Sequence, residues 1–219
     1  MEKLQMYYPE SDLMPGAIDF ATLGFTGPTA LNESTFATGQ QQRADNIYAE
    51  TTFVCPSYWL AEAYTGNGRT AYKYQFSVVP AEHGDDISVF FPTSGLAPLG
   101  PEYSSDFVTA ALSIWGNFVM YNSPIISAAT ANGANSSSTN SGDAVAAWPQ
   151  WTSMNPIMLN LNETGGSVVS IPLTTSQNIT VDVDPGLTND FSLVQAYPWE
   201  GGRGYRCDYW QSVGGIVPE

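Results

Sequence analysis

The chain has 219 residues and carries 6 basic against 21 acidic side chains, a formal net charge of −15. That balance excludes nucleic acid as an expected partner, because phosphate binding draws on clustered Lys and Arg, and it disfavours an anionic membrane surface for the same reason. Apolar residues make up 43%, ordinary for a globular protein, and no run approaches the roughly 20 apolar residues of a membrane-spanning helix.

The first residues, Met1-Glu2-Lys3-Leu4-Gln5-Met6, lack the apolar region of a signal peptide. Pro9, Pro15 and Pro28, with Gly16, Gly24, Gly27 and Gly39, break any long periodicity, so residues 1–42 read as loop with short helical pieces. Residues 44–64 read as helix, with Ile47, Val54, Tyr58 and Ala61 on the apolar side and Pro56 interrupting or restarting it. Gly66-Asn67-Gly68 is a stop and turn. Tyr72, Tyr74 and Phe76 then alternate with Lys73 and Gln75, which predicts a strand over 71–76.

A loop holding the only histidine follows, Ala81-Glu82-His83-Gly84-Asp85-Asp86, and then a short apolar stretch over 87–91. Ser104 or Ser105 is placed to cap the next helix. Phe107, Ala111, Ile114, Trp115 and Phe118 fall at helical spacing and predict one buried stripe. Residues 127–143 are low in complexity and read as a mobile surface loop. Beyond them the chain turns β-rich, with strands expected at 157–161, 167–173 and 179–183 and a turn at Gly165-Gly166 between the first two. The tail over 205–213 reads as a helix. No internal repeat and no dividing linker is visible, which points to one domain or part of one.

His83 is the residue that most invites a chemical reading. A loop histidine satisfied by Glu82, Asp85 or Asp86 is the plain alternative. A histidine at a strand end, in a glycine-containing turn, is also where a sheet can hold a general base. The nucleophile is not evident: Gly-x-Ser-x-Gly does not occur, and Gly165-Gly166-Ser167-Val168-Val169 lacks the second glycine. An HGGG-type oxyanion segment is absent as well. The neighbouring carboxylates Asp85-Asp86 and Asp182-Val183-Asp184 read as solvated acidic loops rather than a glycosidase pair or a calcium loop. Two cysteines and one histidine form no zinc pattern, so no metal and no other cofactor is expected. The tryptophans fit core packing more readily than sugar stacking.

Cys55 and Cys207 are the only cysteines. They would be unpaired core thiols in a cytosolic protein and a bonded pair in a secreted one. Four sequons, at Asn32, Asn135, Asn162 and Asn178, are glycosylation candidates and favour the secretory setting.

A set of ordered motifs resembles the C-terminal part of the type-B carboxylesterases, the family of cholinesterases, fungal lipases and the non-catalytic neuroligins. They are Phe53-Val54-Cys55-Pro56, Tyr72-Lys73-Tyr74-Gln75-Phe76, His83-Gly84-Asp85-Asp86, Ile114-Trp115-Gly116-Asn117-Phe118, Trp148-Pro149-Gln150-Trp151, Ile157-Met158-Leu159-Asn160-Leu161 and Arg206-Cys207-Asp208-Tyr209-Trp210. The resemblance runs from about Tyr8 to Trp210 and is fungal in style. It implies an α/β chain, the C-terminal portion of an α/β-hydrolase fold with an incomplete sheet, over residues 1–219. It implies that His83 is the triad histidine, that Asp86 supports it, and that Cys55 and Cys207 form a disulfide. The substrate class it implies is a small-molecule carboxylic ester, cleaved outside the cell by the intact enzyme.

The nucleophile, oxyanion loop and triad acid of that family belong to a more N-terminal portion. These 219 residues are therefore expected to be inactive alone and to need a complementing N-terminal segment. The alternative is a non-catalytic esterase-like module that binds a protein or glycan.

Overall fold

The computed structural model describes residues 2–8, 39–81, 83–92, 102–134, 140–174 and 177–215. The expectations on Asn32, Asn135 and Glu82 lie outside them. The protein is of mixed α/β composition, with small sheets and several helices. It divides into two compact units. One takes in Met1–Ala71, Trp151–Pro156 and Gln195–Glu219, the other Tyr72–Gln150 and Ile157–Val194. Both are discontinuous in sequence, which is why no linker marks the division.

The first unit is helical. Helix α1 spans Glu2–Tyr7 and α2 spans Gly39–Ala49. A π-helical turn, Glu50–Val54, joins α2 to α3, Cys55–Ala63. The reason lies in Pro56, which sits in the first turn of α3. Proline has no N–H to offer the preceding turn and its ring crowds that turn's carbonyls; a wider turn lets the helix continue past it. So the expected helix over 44–64 forms, and it restarts as α3 with Pro56 in its first turn, after the π-helical turn.

The last helix, α8, spans Trp199–Val213. Its opening residues Glu200, Gly201 and Gly202 have φ of 50°, 67° and 97°, so regular helix begins at Arg203. Cys55 and Cys207 are disulfide-bonded, with Cα atoms 5.0 Å apart, which ties α3 to α8. Beside the bond, Arg206 is 2% exposed and grips Glu50 with two nitrogens, Nε at 2.9 Å from Oε2 and Nη2 at 2.5 Å from Oε1. The same guanidinium donates to the carbonyls of Gly201 at 2.8 Å and Glu200 at 3.0 Å, which satisfies the non-helical opening of α8. Tyr8 donates its hydroxyl to Glu50 and accepts from Trp210 Nε1 at 2.7 Å. Burial, then the charge of Glu50, holds that tyrosine far above its ordinary range. Desolvating an ion pair is costly, and this one is sustained because both partners are surrounded by hydrogen bonds.

The second unit holds the sheet. Its order is β1 (Tyr74–Phe76), β2 (Ile157–Leu161), β5 (Ser192–Gln195). Strand β1 runs parallel to β2, with Tyr74 opposite Leu159 and Phe76 opposite Leu161. The strand expected over 71–76 is therefore real but shorter, and the one over 157–161 has the expected bounds. Strands β3 (Glu163–Thr174) and β4 (Gln177–Asn189) form a long antiparallel hairpin. The turn expected at Gly165-Gly166 is not there. Both glycines lie within β3, at an irregularity where the register shifts between Gly165 and Ser167. Their φ values of 86° and 71° need glycine, and a Cβ on Gly166 would run into the Val183 carbonyl.

Four helices accompany these strands: α4 (Asp85–Phe90), α5 (Ser105–Tyr121), α6 (Ala128–Asn132) and α7 (Ser141–Ala146). The apolar stretch read at 87–91 is mostly helix, because Gly84 in a left-handed conformation turns the chain into α4. Ser104 caps α5 by accepting from the Phe107 N–H at 3.1 Å. Among the described residues of the loop expected over 127–143, residues 128–132 and 141–143 belong to helices α6 and α7; Ser127 caps α6, and Ala131 and Val145 are fully buried. The core gathers Val89, Phe107, Ala110, Ala111, Ile114, Val145, Trp148, Leu159, Leu161 and Phe191. Burying each of the larger of these side chains is worth about 2 kcal/mol. Trp115 was expected in the buried stripe, yet it is 42% exposed. It stands on the border of the stripe, one residue beyond Ile114, and turns outward.

Candidate functional site

The region around His83 begins at the carboxyl end of β1. Ser77 donates its N–H to the Leu161 carbonyl at 2.9 Å and its hydroxyl to the buried Asn160 side chain. Both bonds continue the β1–β2 pairing one residue past the strand. The chain then turns through Pro80, Ala81 at φ 56° and Gly84 at φ 94° before α4 begins. His83 lies in the turn just ahead of α4, with its side chain exposed. In parallel α/β sheets, the loops leaving the carboxyl ends of strands are where ligands are met.

Two tyrosines fasten the start of α4. Tyr74, on β1, donates its hydroxyl to Asp86 Oδ2 at 2.7 Å. Burial, reinforced by the charge of Asp86, raises this phenol well above its ordinary range, so it remains a donor at any ordinary pH. Tyr103 reaches the Asp85 carbonyl at 3.3 Å, and burial is the main cause that pushes its hydroxyl up to about 12. The rings add packing: Tyr74 lies 5.3 Å from Phe90, and Tyr103 lies 5.8 Å from Phe76. Asp86, expected to support His83, is thus the acceptor that anchors α4 to β1. An exposed imidazole on such a braced turn is placed to give or take a proton from a bound molecule.

The other expected residues fall elsewhere. Cys55 and Cys207 are bonded in the helical unit. Asn162 is half-buried between β2 and β3, and its carbonyl accepts the Asp190 N–H at 2.8 Å. Asn178 and Thr180 are exposed on β4, while Ile179 between them is buried. Asp182 and Asp184 are exposed, and Asp184 accepts the Leu187 N–H at 3.0 Å, a turn-forming role. Trp148, Trp151 and Trp199 are buried, as core packing requires. Among the described residues no His, Cys, Asp and Glu side chains are grouped to hold a metal ion, and no helix is long and apolar enough to cross a membrane.

One titratable group was not foreseen. Glu163, at the start of β3, is 8% exposed and accepts the Ser104 N–H at 3.2 Å. Burial, with Asp184 and Asp106 adding repulsion against the bonds from Ser104, raises its carboxyl to about 7. In sequence it is only the middle residue of a sequon, and no local pattern marks it for burial.

No protein-family model matches the chain, and no curated protein matches it.

Proposed function

We propose that the chain is the C-terminal part of a secreted serine carboxylesterase of the type-B kind, within an α/β-hydrolase fold. His83 is its general base and then its general acid. The observation that carries this reading is the placement of His83. The histidine sits on the loop that leaves the carboxyl end of a strand in a parallel pair, and it is open to solvent. The ordered motifs around it and the Cys55–Cys207 bond, which suits an oxidising compartment, support the same reading.

In the proposed reaction a serine hydroxyl attacks the ester carbonyl while His83 accepts its proton. His83 then gives that proton to the departing alcohol, leaving an acyl-serine. A water molecule, deprotonated by the same imidazole, releases the acid. Tyr74 and Asp86 keep α4, and with it the turn bearing His83, fixed to β1. The serine and the oxyanion donors are supplied from outside these 219 residues, since no Gly-x-Ser-x-Gly occurs among them.

The coding DNA upstream of Met1 tests the proposal. The reading predicts an in-frame segment encoding Gly-x-Ser-x-Gly and a secretory leader. It also predicts no turnover of p-nitrophenyl esters by the 219-residue chain alone. A stop codon directly upstream, together with His83-dependent hydrolysis by the isolated chain, would refute it.

A further inference from the structure

Helix α5 is apolar on its outside as well as its inside. Phe107, Ala110, Ala111 and Ile114 face the core, while Leu112, Trp115, Val119 and Met120 are 39%, 42%, 66% and 71% exposed. A surface helix normally turns polar residues outward, and the only charge on α5 is Asp106, in its first turn. Phe91, just past α4, widens this face: it is half exposed and its ring lies 6.0 Å from that of Trp115. On typical residue areas the exposed surface of these five residues is roughly 600 Å², the upper end of the usual patch on a monomer, and two such faces together reach the lower end of a standard interface.

Gly116 is the second observation. It lies mid-helix among Leu112, Trp115 and Val119, and a Cβ built on it meets no described atom within 4 Å. Its backbone is ordinary helix, so no turn and no described neighbour requires a glycine there. Glycine nevertheless weakens a helix relative to alanine. A notch at that point serves an approaching backbone, as when two helices cross closely.

We infer that two copies of this chain associate through the outer faces of their α5 helices. The two-fold axis passes near Gly116, and Leu112, Trp115 and Val119 of each copy pack around the crossing. A second copy is the occupant that fits. The face carries no charge among the named residues, so two chains of −15 meet there without opposing like charges. A symmetric contact needs one self-complementary patch, and the notch flanked by bulky side chains supplies both halves. A flat lipid surface has no use for a gap shaped to a helix. This inference does not rest on the esterase reading.

Sedimentation equilibrium of the purified chain at micromolar concentration tests it. The expected mass is twice 23.6 kDa. Val119→Lys is expected to leave a monomer, while Met154→Lys, at a residue 93% exposed in the helical unit, leaves the mass unchanged. Gly116→Ala separates association from folding: it raises the thermal midpoint of the monomer and weakens association about tenfold or more. Because the two native cysteines are bonded to each other, Val119→Cys gives a direct check. It is expected to form a disulfide-linked dimer faster than Met154→Cys. A wild-type monomer, a Val119→Lys dimer as tight as wild type, or equal cross-linking at positions 119 and 154 would overturn the inference.

Discussion

The helical unit is held around a buried ion pair and a covalent cross-link, whereas the sheet-bearing unit is held around aromatic and aliphatic packing. In the first, Arg206 spends its donors on Glu50 and on the carbonyls of Glu200 and Gly201, one residue from the Cys55–Cys207 bond. In the second, Phe107, Ile114, Leu159, Leu161 and Phe191 form a continuous apolar core, joined by buried uncharged side chains such as Ser141 and Asn189 rather than by an ion pair. A charged centre depends on every partner being present. A packed centre loses stability in proportion to the volume removed. The first unit should therefore be brittle to single polar changes, and the second should yield gradually.

The largest effect is expected from the disulfide. Replacing Cys55 and Cys207 together by Ala frees a link spanning 152 residues, and the chain-entropy relation gives a loss of about 5 kcal/mol. Urea unfolding of the double variant checks this; a midpoint equal to wild type would mean that the ion pair alone holds α3 to α8. Next comes Arg206→Met, which strands the Glu50 carboxylate in the interior and should cost about 4 kcal/mol. Adding Glu50→Gln should restore part of that loss. A loss as small as that of a surface substitution would contradict the brittle description of this unit.

Glu163→Gln sharpens the contrast from the other side. The folded carboxyl is raised from 4.5 to about 7, so the native state binds the proton more tightly than the unfolded chain does. Stability from this group is fully present below 4.5 and is lost as pH rises through 7. The loss is on the order of 3 kcal/mol when complete. The glutamine variant should match wild type near pH 4 and exceed it near pH 8 in thermal melts. A parallel pH dependence in both proteins would refute the assignment. The smallest effect is the cap: Ser104→Ala removes the acceptor for the Phe107 N–H and should cost about 1 kcal/mol by denaturant unfolding.

Local signals read well where local physics decides. The spacing of Phe107, Ala111 and Ile114 marked the inner face of α5, the pair Ser104 or Ser105 marked its start, with Ser104 proving to be the cap, and the apolar run 157–161 marked β2. Two signals misled because a distant partner decides them. Gly165-Gly166 reads as a turn in isolation; pairing with the opposing strand makes it part of β3, where the register shifts against the longer stretch of β4 between Val183 and Leu187. Trp115 satisfies helical periodicity, but spacing alone does not say how wide the buried stripe is. The charged centre of the helical unit was not legible at all, since Glu50 and Arg206 are 156 residues apart and each alone resembles a surface residue. The pairing of the two cysteines, in contrast, was implied by resemblance and is present. At the candidate site, His83 and its loop were legible, while the Tyr74 to Asp86 bond that braces α4 appears only once β1 and α4 are placed together.

The most direct test of the central claim is ester hydrolysis by the product of the complete reading frame, compared with its His83→Ala variant. The account predicts turnover of a p-nitrophenyl ester by the first and a loss of about 10³- to 10⁴-fold or more in kcat for the second, with the fold intact by circular dichroism. Comparable kcat in the two proteins, or no turnover in either, would contradict it.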